Sequence, residues 1–139
     1  MDASQIAQIN LGLQIFLIIL LLLSWTLKKK GKFYAHGSMM LIALILNAVS
    51  FFLVMGPSLL FWKELVAVIP LSTFSIIIMS HAGLGSLAEL LGIYLVASWH
   101  LRKSTQNCAE KKRIMDATLV IWLIALYLGV LLYTTLYPM

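Results

Sequence analysis

Apolar residues run almost without interruption through four stretches of this chain, and polar residues gather between them. The stretches cover about residues 6–27, 36–56, 71–101 and 114–137. Each supplies the roughly 20 mostly apolar residues that a helix needs to cross a hydrocarbon core. Gly56-Pro57 provides a stop signal after the second, and the third begins just after Pro70. No segment alternates apolar and polar positions as a membrane barrel strand does, so the pattern predicts an all-α chain. The expected fold is an integral membrane four-helix antiparallel bundle, with residues 1–139 forming a single transmembrane domain.

Composition removes the main competitors. Of the 139 residues, 62% are hydrophobic and 11% charged, and the mean hydropathy is +1.00. Soluble domains are roughly half apolar and about a quarter charged, so a soluble enzyme and a disordered chain are both excluded. Charge then orients the bundle. Lys28, Lys29, Lys30 and Lys32 lie between the first two helices, and Arg102, Lys103, Lys111, Lys112 and Arg113 between the last two. Only Lys63 falls in the middle loop, so both basic loops are expected to face the cytoplasm and both termini to be extracytoplasmic, in a multi-pass protein of the cell membrane. The net charge of +5 is a topology signal that also suits anionic lipid head groups, and nucleic acid is not an expected partner.

The N-terminal run carries no Lys or Arg before it and ends in lysines without a small-residue cleavage site, so it is expected to remain as a spanning helix. Cys108 is the one cysteine, which excludes an intrachain disulfide, a thiolate cluster and covalent haem attachment through paired cysteines. Trp25, Phe33, Tyr34, Trp62, Trp99, Tyr133 and Tyr137 lie near predicted helix ends, as an interfacial aromatic belt requires.

The few polar residues at membrane depth carry the chemistry. Ionisable side chains inside a bilayer are costly unless paired or ligated, which makes each a functional candidate. The candidates are His36, Asn47, His81, Glu89 and His100, all on the second and third helices. Counting forward from His36 it is 11 residues to Asn47 and 19 to Met55, and counting back from His100 it is 11 to Glu89 and 19 to His81. Antiparallel helices in that register set His36 level with His100. Asn47 then meets Glu89 about 16 Å deeper, and Met55 meets His81 about 28 Å from the start.

A b-type haem is held by two axial side chains from facing helices, beside small residues that admit the macrocycle. His81, Gly85, Ala88 and Gly92 follow at steps of four, three and four, giving a histidine on a smooth stripe. His36 with His100 is the expected inner bis-histidine site, and His81 with Met55 an outer His/Met site. The plainer alternatives are close helix packing for Gly85 and Gly92, interfacial snorkelling for His36 and His100, and gap-filling for Met55. Glu89 reads as a proton-relay carboxyl, a neutral acid hydrogen-bonded to Asn47, or a counter-charge to a cofactor or subunit. Copper is the poorer metal, because well-separated histidines make no closed copper site. No nucleophile elbow, phosphate loop, zincin helix or nucleotide fingerprint occurs, so the chain is expected to be an electron carrier at most rather than an enzyme.

The stretch Leu27-Lys-Lys-Lys-Gly-Lys-Phe-Tyr-Ala-His36, with Met39-Met40-Leu41 after it, resembles the first loop and second-helix entry of a bacterial and archaeal family of four-helix membrane proteins. Met79-Ser80-His81 resembles that family's third-helix histidine, and Ala117-Thr-Leu-Val-Ile-Trp122 its fourth-helix entry. The family, long catalogued as a domain of unknown function, includes maturation factors of haem-copper cytochrome oxidase. The resemblance therefore implies haem or metal chemistry and a haem-copper oxidase or other membrane subunits as partners. The chain departs from the family where histidines are expected, reading Val54-Met55-Gly56-Pro57 and Glu110-Lys111-Lys112-Arg113. That departure reduces the expected cofactor to one haem or none. Two classes stay open: a haem b protein of electron transfer or oxidase assembly, and a cofactor-free accessory subunit of a larger membrane complex. Homo-oligomerisation is compatible with either.

Overall fold

The computed structural model describes residues 3–99 and 110–136, with side chains from residue 5 onward. Among the described residues five helices occur, α1 (Ala3–Lys29), α2 (Phe33–Ser50), α3 (Gly56–Val68), α4 (Thr73–Trp99) and α5 (Lys112–Leu136), and a π-helical turn over Phe51–Met55 joins α2 to α3. The second span is therefore continuous from Phe33 to Val68, giving four helices long and apolar enough to cross a membrane. Large apolar side chains such as Phe16, Ile19, Ile45 and Leu90 cover the outside of these helices, as contact with lipid requires.

Gly56-Pro57 does not stop the second span, contrary to the sequence expectation. Proline has no N–H to donate, and at the first turn of a helical segment none is needed. Pro57 occupies that position in α3. The π turn makes the junction: the Gly56 N–H donates to the Phe51 carbonyl five residues back, and a Cβ on Gly56 would lie 3.2 Å from that oxygen. The other expected spans hold, with ends moved by two or three residues. Residues 100, 101 and 137, at the expected ends of the third and fourth, lie outside the described residues.

Packing closes the helices into a ring in which α1 contacts α2, α2 contacts α4, α4 contacts α5, and α5 contacts α1. Gly31, with a φ of 72°, makes the tight turn between α1 and α2, a conformation that favours glycine. At that end Lys28 pairs with Asp116 at 2.8 Å, drawing the basic end of α1 to the basic start of α5. Both described lysine-rich segments thus share one end of the bundle. The core at mid-height contains Leu17, Leu21, Ala43, Leu44, Ala88, Trp122 and Leu126.

The register of the second span, α2 through α3, against α4 is the one the sequence predicts. A Cβ on Gly37 would touch the Trp99 ring, Leu44 reaches over Gly92, Asn47 bonds Glu89, and Trp62 meets Phe74 with ring centroids 5.4 Å apart. In all four pairs the two residue numbers total 136, the total that also pairs His36 with His100 and Met55 with His81.

Candidate functional site

Among the described residues, one cavity lies on each side of Trp122, which lines both. The cavity at the lysine-rich end holds about 80 Å³ and is lined by His36, Lys28, Trp99, Lys111 and Asp116 among others. The cavity in the other half holds about 400 Å³ and is lined by Met55, His81, Gly85, Gln14 and Gly129 among others. Only the second falls in the range of about 300–1,000 Å³ usual for small-molecule sites.

His81 enters this larger cavity from α4, fixed by a neighbour on α5. Its Nδ1–H donates to the Ala125 carbonyl at 2.8 Å, because a carbonyl can only accept. In the neutral ring that leaves Nε2 as the nitrogen with the free lone pair, the arrangement in which metal-binding histidines are commonly oriented. Gly129 makes the room, since a Cβ there would stand 2.9 Å from the His81 ring. Met55 lines the same cavity from the end of the π turn, and Gly85 leaves its part of the wall open.

His36 uses the same device at the lysine-rich end. Its Nδ1–H points at both the Ser24 carbonyl, 2.9 Å away, and the Ser24 hydroxyl, 2.7 Å away. The hydroxyl in turn donates to the His36 carbonyl at 3.2 Å. Ser24 is fully buried, so this cluster locks α1 to α2. The expected inner partner, His100, lies outside the described residues. The space beside His36 is the 80 Å³ cavity, and the Trp99 ring lies against Gly37 there.

Asn47 Nδ2 donates to Glu89 Oε2 at 2.7 Å, joining α2 and α4 at mid-height. Of the three sequence readings of Glu89, the hydrogen bond to Asn47 is thus observed. Gly92 and Gly85 divide the small-residue stripe between two uses. Gly92 is buried and receives Leu44 and Trp122, whereas a Cβ on Gly85 would meet open space in the large cavity. Among the described residues no cluster of three or more His, Cys, Asp or Glu is placed to hold a metal ion.

Sequence reasoning missed the polar cluster on α1. Ser50 donates to Asn10 Oδ1, and Gln14 Nε2 donates to Ser50 at 3.3 Å. Gln14 is 3% exposed and lines the large cavity, yet its Oε1 has no hydrogen-bond partner. The available signal was a glutamine inside an apolar run, four residues beyond an asparagine and so on the same helix face. No family model matches the chain, and no curated protein and no solved structure matches it.

Proposed function

We propose that this chain is a b-type haem-binding integral membrane protein, acting in respiratory electron transfer or in assembly of a haem-copper oxidase. The observation that carries the reading is His81, tied through Nδ1–H to Ala125 so that its other ring nitrogen is left for a ligand, on a cavity of about 400 Å³. Met55 supplies a thioether to the same cavity, and His/Met ligation is a known haem pairing. When bound, such a group supplies one-electron transfer. The chain's own residues would hold and orient it: His81 and Met55 as ligands, Gly85 as an open wall, Trp122 as the floor, and Gly129 as the space that admits the His81 ring. Space, rather than ligand type, turns the reading away from His36, whose cavity of about 80 Å³ has no room for a macrocycle.

In this reading the lysine-rich end is cytoplasmic and the large cavity lies in the outer half of the membrane. The resemblance to the four-helix family of oxidase maturation factors supports the same assignment. One alternative has an observation behind it. The Ser24–His36, Ser50–Asn10 and Asn47–Glu89 bonds all join helices within the chain, as in an accessory subunit that needs polar residues only for packing.

A reduced-minus-oxidised spectrum of the purified protein separates the two. Sharp b-type bands are expected, lost in His81→Ala and retained in His36→Ala. A colourless protein that co-purifies with larger membrane subunits overturns the haem reading and selects the alternative.

A further inference from the structure

The large cavity is mostly apolar, and its few polar groups carry no formal charge. Its described lining includes Gln14, Asn47, His81 and Tyr133 but no Lys, Arg, Asp or Glu. Gln14 stands apart within it. The amide is fixed by donation from Nε2 to Ser50, whose hydroxyl is itself committed to Asn10. That leaves Gln14 Oε1 as the one buried side-chain nitrogen or oxygen without a partner among the described residues. Buried polar atoms are nearly always hydrogen-bonded, so an orphan acceptor on a side chain that lines a cavity indicates what the cavity's occupant must bring.

Two acceptors on residues of the same lining set the requirement. Gln14 Oε1 offers only lone pairs, and the neutral His81 ring, with its proton on Nδ1, offers a lone pair at Nε2. A carboxylate entering this space would meet no cation and would face an oxygen lone pair. An O–H group would satisfy it. We infer that the large cavity takes a neutral, lipid-soluble ring compound that donates an O–H hydrogen bond to Gln14 Oε1. Two sources share that chemistry: a porphyrin carboxyl in its acid form, and the hydroxyl of a lipid-soluble hydroquinone. The first rests on the haem reading above; the second does not.

The test uses the full chain in phosphatidylcholine nanodiscs and two pairs of probes. One pair is iron protoporphyrin and its dimethyl ester; the other is decylhydroquinone and its dimethyl ether. Within each pair the molecules differ in whether O–H is present. Binding is read from quenching of tryptophan emission, since Trp62 and Trp122 line the cavity, and for the porphyrins also from the Soret band.

One O–H probe is expected to bind about tenfold tighter than its methylated partner, the loss typical of leaving a buried hydrogen-bonding group unmatched. The gap should close in Gln14→Leu. Because the first comparison is made on the unaltered chain, it does not depend on that variant folding. A gap in the hydroquinones supports the inference, and if neither porphyrin gives a Soret band it also overturns the haem reading. Porphyrin and ester binding equally, with a Soret band and with no gap between the hydroquinones, keep the haem reading and overturn the inference. Absence of a gap in both pairs, whether through equal binding or none, overturns it as well.

Discussion

Both described histidines are tied by Nδ1 to a backbone carbonyl on a neighbouring helix, and each tie depends on a small or fitted neighbour. That dependence ranks the glycines. A Cβ on Gly37 would stand 2.1 Å from the Trp99 ring, and one on Gly129 would stand 2.9 Å from the His81 ring. A Cβ on Gly92 meets the end of the flexible Leu44 side chain at 2.8 Å. Rigid rings in a packed bundle cannot yield as a leucine methyl can, so Gly37→Ala and Gly129→Ala should each cost about 1–3 kcal/mol, with Gly92→Ala near the low end of that range. Thermal unfolding in detergent measures the order; a Gly92→Ala protein less stable than Gly37→Ala would contradict it. The histidines and Glu89 were legible in the sequence because so little else at membrane depth can ionise. Their actual partners were less so. Ala125 and Ser24 contribute backbone carbonyls, which every residue has, so no residue letter marks them.

At the scale of elements, the α2–α4 register was legible to the residue, because scarce polar positions leave few ways to pair two apolar helices. Asn47 and Glu89 must find each other or remain unpaired in an apolar interior, and that pair fixes the rest. The π turn was not legible. A Gly-Pro pair reads as a stop, yet proline at the start of a new segment leaves no donor unsatisfied, and a π turn before it absorbs one extra residue. The consequence is a phase shift that carries Met55 and Trp62 to the cavity wall. Deleting Phe52, which is 72% exposed and packs little, should convert the π turn to α-helix and rotate α3 by about 100° against α4. In a Cys108→Ser background, a short bis-maleimide should link Trp62→Cys to Phe74→Cys in the parent chain and fail to do so after the deletion. A Leu44→Cys, Gly92→Cys pair, on the unaltered side of the turn, should link in both. Equal linking at the outer pair in parent and deletion would mean that the turn does not set the phase of α3.

At the scale of the molecule, two aromatic levels frame the bundle. Tyr34 packs near Trp99 at the lysine-rich end, and Trp62 packs on Phe74 at the other. From Tyr34 to Trp62 the helix climbs about 42 Å, close to the 40–45 Å of a bilayer with its head groups. The large cavity lies toward the far level, so which compartment it faces follows from which side holds the lysines. Nine of the ten Lys and Arg residues lie within residues 28–32 or 102–113, and the Lys28–Asp116 pair shows that the basic ends of α1 and α5 meet. In the proposed reading these basic segments are cytoplasmic. Cys108, the only cysteine and placed by sequence between α4 and α5, is a built-in reporter. A membrane-impermeant maleimide added to intact spheroplasts should leave Cys108 unlabelled until lysis. In a Cys108→Ser chain, Lys63→Cys should be labelled without lysis. The opposite pattern would turn the molecule over, placing the His81 cavity in the cytoplasmic half of the membrane.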